Sequence, residues 1–257
     1  MNEGLEVGTM QLAGQVAFVT GATGGIGSEI CRSLAKEGAN IAICYHSKYE
    51  EAQSLHQEIT SLGREALLVQ ADVSKKDQVI SAFEATRKNL GPIDILVNNA
   101  GMTLMGKLED LSEEDWDRCM EVNLKSVFLC TQAVIPEMKK RKKGSIINMT
   151  SLAAKIGGIN SAACYSVSKA GVSNLTIQTA KELLSFNINV NGIAPGIIDT
   201  PLWDVYGSEI KEKCISGLIR GAGSPIDIAE VVVFLASPKA RYITGEIIDV
   251  NGGIFMD

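Results

Sequence analysis

The chain has 257 residues, enough for one α/β domain with a substantial core, and 46% are hydrophobic while only 5% are aromatic. A formal net charge of −6 offers nothing to nucleic acid, and no apolar run approaches a membrane span. Six scattered cysteines without a C-x-x-C pair read as free thiols in a reducing compartment. The two histidines, His46 and His56, are too few and too poorly placed for a zinc site, so no metal is expected.

Residues 1–14 read as a tail without the basic start and apolar core of a leader, so the cytoplasm is the expected location. Residues 15–257 read as a single domain. It opens with Val16-Ala17-Phe18-Val19, an apolar run suited to a buried parallel strand. Thr20-Gly21-Ala22-Thr23-Gly24-Gly25-Ile26-Gly27 follows and leads into Ser28–Ala35, whose apolar residues have helical spacing. Glycine there permits a tight turn and close approach of a pyrophosphate to the amide-rich helix N-terminus; without a ligand it is a glycine-rich βα turn.

The second strand, Asn40–Cys44, ends at Tyr45, where an acidic side chain would accept hydrogen bonds from a ribose 2′-hydroxyl. His46, Ser47 and Lys48 follow, offering donors and one fixed positive charge to a 2′-phosphate. NADP(H) is therefore expected over NAD(H), with NAD(H) as the alternative. The strand Ala66–Gln70 precedes Asp72-Val73, and Ile93–Val97 runs into Asn98-Asn99-Ala100-Gly101, a turn or the lining of a cleft. Asn123 interrupts a long helical pattern, where asparagine is a poor interior residue that seeks backbone partners. The basic run Lys139-Lys140-Arg141-Lys142-Lys143 suits a helix C-terminus, with partner docking the lesser reading.

Ser145–Ser151 is another strand with a hydroxyl at its end. Tyr165-Ser166-Val167-Ser168-Lys169 then places a phenol and an ammonium one helical turn apart, on one face. A nearby lysine stabilises a phenolate and brings it toward working pH, although such a pair is usually a surface pair. Strands are predicted near 15–20, 40–45, 65–70, 93–97, 144–150, 187–193 and 246–250. Helices are predicted near 25–37, 48–62, 75–90, 112–139, 163–184, 204–216 and 226–236. The alternation implies a doubly wound parallel sheet of about seven strands, a Rossmann-type fold.

Taken together these segments resemble the compact short-chain dehydrogenase/reductase family over essentially the whole chain. Gly21, Gly25 and Gly27 match its T-G-x-x-x-G-x-G cofactor loop, which also contains Thr23 and Ile26, and Asp72-Val73 match its adenine contact. Asn99-Ala100-Gly101 match its N-A-G motif, and Asn123, Ser151, Tyr165 and Lys169 match its catalytic tetrad. Pro195-Gly196-Ile197-Ile198-Asp199-Thr200 is similar to the segment that holds the nicotinamide carboxamide. Gly24 beside Gly25 also satisfies T-G-x-x-G-x-x-G, the pattern of longer epimerase-like relatives, but the short tail after the last strand leaves no room for their extra domain.

The resemblance implies an NAD(P)(H)-dependent interconversion of a ketone and a secondary alcohol. Tyr165 would be the general acid/base, Ser151 would hold the carbonyl oxygen, Lys169 would support the phenolate and the nicotinamide ribose, and Asn123 would fix a water. It also implies a small-molecule carbonyl or alcohol substrate and a homotetramer joined through the two long helices, whose apolar residues Val127, Phe128, Leu129, Val172, Leu175 and Ile177 spread beyond one stripe. The nearest likeness is to 3-oxoacyl-carrier-protein reductases. Leu129 and Phe186, read as the positions where those relatives carry basic residues for their acidic carrier, are apolar here and count against a carrier-bound substrate. An acyl-CoA, sugar, polyol or steroid stays open, with Leu202–Tyr206 through Ile219-Arg220 as the variable substrate loop. A scaffold or sensor that binds the dinucleotide without catalysis is the reading from a different class.

Overall fold

A computed structural model describes residues 10–158, 161–202 and 207–256. Seven parallel strands form its centre: β1 (Val16–Thr20), β2 (Asn40–Tyr45), β3 (Ala66–Gln70), β4 (Ile95–Asn98), β5 (Gly144–Met149), β6 (Ile188–Pro195) and β7 (Ile247–Val250). They are ordered 3-2-1-4-5-6-7. The inner strands β1, β2, β4, β5 and β6 are buried on both faces because helices cover both, so most of them are largely apolar, while the edge strands β3 and β7 are only partly buried. Alternate side chains feed two separate cores. Val19, Ile43, Val97 and Ile147 point to one, and Phe18, Cys44, Leu96 and Ile146 point to the other.

The first core lies under α1 (Gly25–Lys36), α2 (Tyr49–Ser61) and α9 (Pro225–Ala236). The second lies under α3 (Lys76–Leu90), α5 (Ser126–Arg141) and α7 (Ala163–Leu183). The chain leaves β1 toward β2 and later returns to place β4 on its other side. The loops after β1 and β4 therefore diverge and open a crevice at the carboxyl edge, where ligands of such sheets bind.

The predicted strands and helices are present, with three differences of substance. The long helix is α4 (Glu113–Met120) joined to α5 by a π-helical turn, Glu121–Lys125, centred on Asn123. A short unforeseen helix, α6 (Ala153–Ile156), follows β5. The helix placed near 204–216 is seen as α8 (Gly207–Ser216), and Trp203–Tyr206 of the expected substrate loop lie outside the described residues.

At the opposite edge of the sheet, Asp94 is buried and accepts the Val16 N–H at 3.1 Å. It pairs with Arg141 at 2.7 Å and Lys143 at 3.1 Å, so part of the basic run ties the end of α5 to the sheet. Five of the six cysteines are buried, and none of the six is in a disulfide. No helix among the described residues is long and apolar enough to cross a membrane.

Candidate active site

Thr20 begins the site by welding the two loops of the crevice together. Its Oγ1 accepts the N–H groups of Asn99 at 2.9 Å and Ala100 at 3.0 Å. Asn99 Nδ2 donates in return to the carbonyls of Thr20 and Gly21, each at 3.0 Å. Gly21 has φ +61°, and a Cβ there would stand 2.9 Å from Ala100 Cα. A Cβ on Gly27 would overlap the Gly21 carbonyl, and one on Gly25 would stand 2.9 Å from Thr200 Cγ2. Gly24 is different: its Cβ would meet only the Gly21 oxygen, at 3.4 Å. The crowded positions are thus 21, 25 and 27, the spacing of the compact pattern, while position 24 has room for a side chain.

These glycines leave the N-terminus of α1 bare, with no acidic residue in its first turn. Such a terminus presents backbone N–H groups and the positive end of the helix dipole to an anion. It lines a cavity of about 830 Å³. The residues expected to bind a dinucleotide, with Ser151, Tyr165 and Lys169, line this one cavity; Asn123 alone stands behind its wall. Pro195, Gly196, Ile198 and Thr200 close it from the β6 side, where Leu152 N–H donates to Pro195 O at 2.9 Å.

At the far end, Asp72 accepts from Ser74 Oγ at 2.7 Å and Ser74 N at 2.9 Å. Partial burial pushes the Asp72 carboxyl up, but these hydrogen bonds prevail and hold it below the usual carboxylate range. His46, Ser47 and Lys48 are exposed on the cavity rim. Tyr45 lines the same cavity but leaves little surface open to it. It is 5% exposed, packs in the first core and lies 6.3 Å from the Tyr49 ring. As the last inward residue of β2 after Ile41 and Ile43, its size serves packing.

At the near end, Lys169 is buried and its Nζ donates to Met149 O at 2.8 Å. Burial penalises the ammonium and brings its pKa down to about 8. The same Nζ lies 6.0 Å from the centre of the Tyr165 ring, as their one-turn spacing requires. Ser151 Oγ accepts the Ala153 N–H at 3.1 Å, which leaves its own hydrogen to donate.

Asn123 Oδ1 accepts from Met102 N at 2.8 Å, and its Nδ2 donates to Met102 O at 2.9 Å and Ser168 Oγ at 3.1 Å. Its amide is thus committed to protein partners. The residue shapes the wall from behind. Sequence reasoning missed Met102, Thr103, Arg118, Val122 and Ile156 on the cavity wall. They sit in the loop after β4, on α4 and its π turn, and at the end of the short α6, where hydropathy carries no signal.

The short chain dehydrogenase family matches residues 15–211. The 3-oxoacyl-[acyl-carrier-protein] reductase FabG of Staphylococcus epidermidis is 41% identical over 241 residues, covering 93% of this chain and 98% of that one. Its Thermotoga maritima counterpart is 40% identical, covering 95% of this chain and 99% of that one. Among solved structures, a blue fluorescent protein from a metagenomic library in complex with NADPH superimposes with a TM-score of 0.88. It is 37% identical and covers 96% of this chain and 100% of that one.

Proposed function

The chain belongs to the short-chain dehydrogenase family and is an NAD(P)-dependent oxidoreductase, and from that premise we propose that it interconverts a ketone and a secondary alcohol with Tyr165 as the proton donor and acceptor. The observation that carries this reading is the convergence of Ser151, Tyr165 and buried Lys169 on the cavity that the glycine loop also lines. The crowded glycines and bare helix end fit a dinucleotide. Gly21, Thr23, Gly25, Ile26 and Gly27 would hold its pyrophosphate side, Asp72 and Val73 its adenine, Asn99, Ala100 and Gly101 the middle, and the Pro195–Thr200 segment its nicotinamide. When bound, it supplies or takes up the hydride.

In the reducing direction Ser151 donates a hydrogen bond to the carbonyl oxygen and Tyr165 passes its phenolic proton to that oxygen. Lys169, cationic below about pH 8, stabilises the phenolate left behind. In the oxidising direction the phenolate takes the proton from the alcohol. Tyr165→Phe keeps the ring and its packing and removes only the proton, so turnover is expected to fall by ~10²–10⁴-fold with nicotinamide binding retained. Activity within a few-fold of the parent would remove Tyr165 from the mechanism.

NADP(H) is the preferred cofactor in this reading, supported by exposed His46, Ser47 and Lys48 at the end of β2 and by the lack of a carboxylate there before Glu50. A higher kcat/KM with NADH than with NADPH would refute it.

A second reading, 3-oxoacyl-carrier-protein reduction, is favoured by the activity named for the staphylococcal relative. The apolar residues raised against it lose their force. Leu129 is buried in the second core, so packing dictates its character. Phe186 has Lys139 Nζ 4.6 Å above its ring, which puts a cation at that surface. Turnover of a carrier-bound 3-oxoacyl chain well above that of the same chain as a free thioester would select this reading. Nicotinamide binding without turnover of any ketone or alcohol would select a silent scaffold.

A further inference from the structure

The segment Tyr165-Ser166-Val167-Ser168-Lys169 gives two residues to the proposed chemistry and leaves Ser168 unassigned. Ser168 is fully buried. Its Oγ donates to the backbone carbonyl of Tyr165 at 2.7 Å and accepts from Asn123 Nδ2 at 3.1 Å. The first bond is ordinary for a serine inside a helix. Ser173, further along α7, makes one of the same kind to Lys169 O at 3.1 Å.

The second bond is not local, since it joins residues 45 apart in the chain. It connects the turn of α7 that carries Tyr165 to the π turn, and Asn123 carries the connection on to both backbone groups of Met102. Gly101, just before Met102, is so close that a Cβ on it would stand 3.4 Å from Asn123 Oδ1 and 3.5 Å from Lys169 Nζ. One hydroxyl thus ties the start of α7 to the π turn, and Asn123 carries that tie on to the loop after β4.

We propose that Ser168 is a positioning residue, which holds the Tyr165 turn in register with Asn123 and the loop after β4. The proposal rests on the reading of Tyr165 as the proton donor. The ionisable groups that face this turn are Lys169 on α7, 6.0 Å from the Tyr165 ring, and Cys164 on α7 and Cys119 on α4, which pack with Tyr165 in a small cluster. Of these Lys169 is the cation, so a displaced phenol changes its distance to the one charge that favours its ionised form. Misplacement of a reacting group by a fraction of an ångström is enough to slow catalysis without abolishing binding.

The test compares Ser168→Ala with Ser173→Ala, which loses a helix-local bond but no contact with the π turn. The near-ultraviolet phenolate titration of each protein, minus that of the same protein carrying Tyr165→Phe, isolates Tyr165. Ser168→Ala is expected to move that midpoint by about half a pH unit or more and to lower kcat on the order of tenfold, with KM for the nicotinamide cofactor held. Ser173→Ala is expected to do neither. An unmoved midpoint in Ser168→Ala, or an equal shift in Ser173→Ala, overturns the proposal. Should Ser168→Ala fail to fold, Ser168→Cys, which keeps a weaker polar group of similar size, carries the same test with the same outcomes. The titration needs no substrate. If Tyr165→Phe retains turnover, the proton-donor reading fails while the titration still reports whether Ser168 places the phenol.

Discussion

Lys169 shows how much stability a single buried ammonium takes from its surroundings. Its pKa of about 8 lies below the ordinary 10.5 because burial disfavours the charged form. The unfolded chain therefore binds this proton more tightly than the folded one. The penalty is fully present below about pH 8 and is relieved as pH rises from there toward 10.5. Lys169→Met is expected to abolish turnover while Tm near neutral pH holds or rises; a marked fall in Tm would mean that the bond to Met149 outweighs the burial. For the parent, ketone reduction is expected to decline as pH climbs through about 8, where the ammonium is lost. The glycine loop gives a second contrast at this scale. Gly27→Ala is expected to abolish dinucleotide binding, since its methyl would overlap the Gly21 carbonyl, whereas Gly24→Arg is expected to be accommodated. Equal binding by both variants would refute the crowding argument. Residues of the cavity wall were legible because their types and order are demanding, as with Tyr165 and Lys169. The packing of Tyr45 was not legible, because a strand-end position does not say that the side chain also joins the first core.

At the scale of elements, the inner strands such as β1, β2 and β4 were legible because burial on both faces writes itself as apolar runs. The π turn was not. One residue inserted into a helix shifts the apolar pattern too little to be separated from ordinary irregularity, so Asn123 was marked as anomalous without the geometry that explains it. The short helix α6 was missed for a related reason, since Ala153–Ile156 is too brief to show a period. The π turn has a measurable role. Asn123→Ala would leave the N–H and carbonyl of Met102 without their partners. Leaving such groups unpaired costs about 1–3 kcal/mol each where water cannot reach them. The variant is expected to melt well below the parent and to lose turnover. An unchanged Tm would show that the turn is held by backbone packing alone.

The whole molecule raises a question about its outer faces. The apolar residues first assigned to an intersubunit bundle divide once their burial is known. Val127, Leu129 and Val172 are 6% exposed or less and belong inside the subunit. Phe128 at 46% and Ile177 at 36% do face outward. Val167 at 45% joins them on α7, and Leu184 at 61% lies in the turn just beyond its end. These are large apolar side chains on two long helices, with room for a second copy of the same face to cover them. At the other end of the molecule β7 is an edge strand, and Phe234 on neighbouring α9 is 38% exposed. An uncovered edge and an apolar helix side by side invite pairing. Two self-complementary faces on one chain, each closed by a twofold axis, build a tetramer, whereas one face alone builds a dimer. We therefore expect a homotetramer, and the two faces can be separated. Phe128→Glu on the α5–α7 face should reduce the species seen by light scattering to a dimer, and Phe234→Glu on the α9 face should do the same. The double variant should run as a monomer. A parent that is monomeric at micromolar concentration, or a double variant that stays tetrameric, would show that these faces are not the ones that assemble.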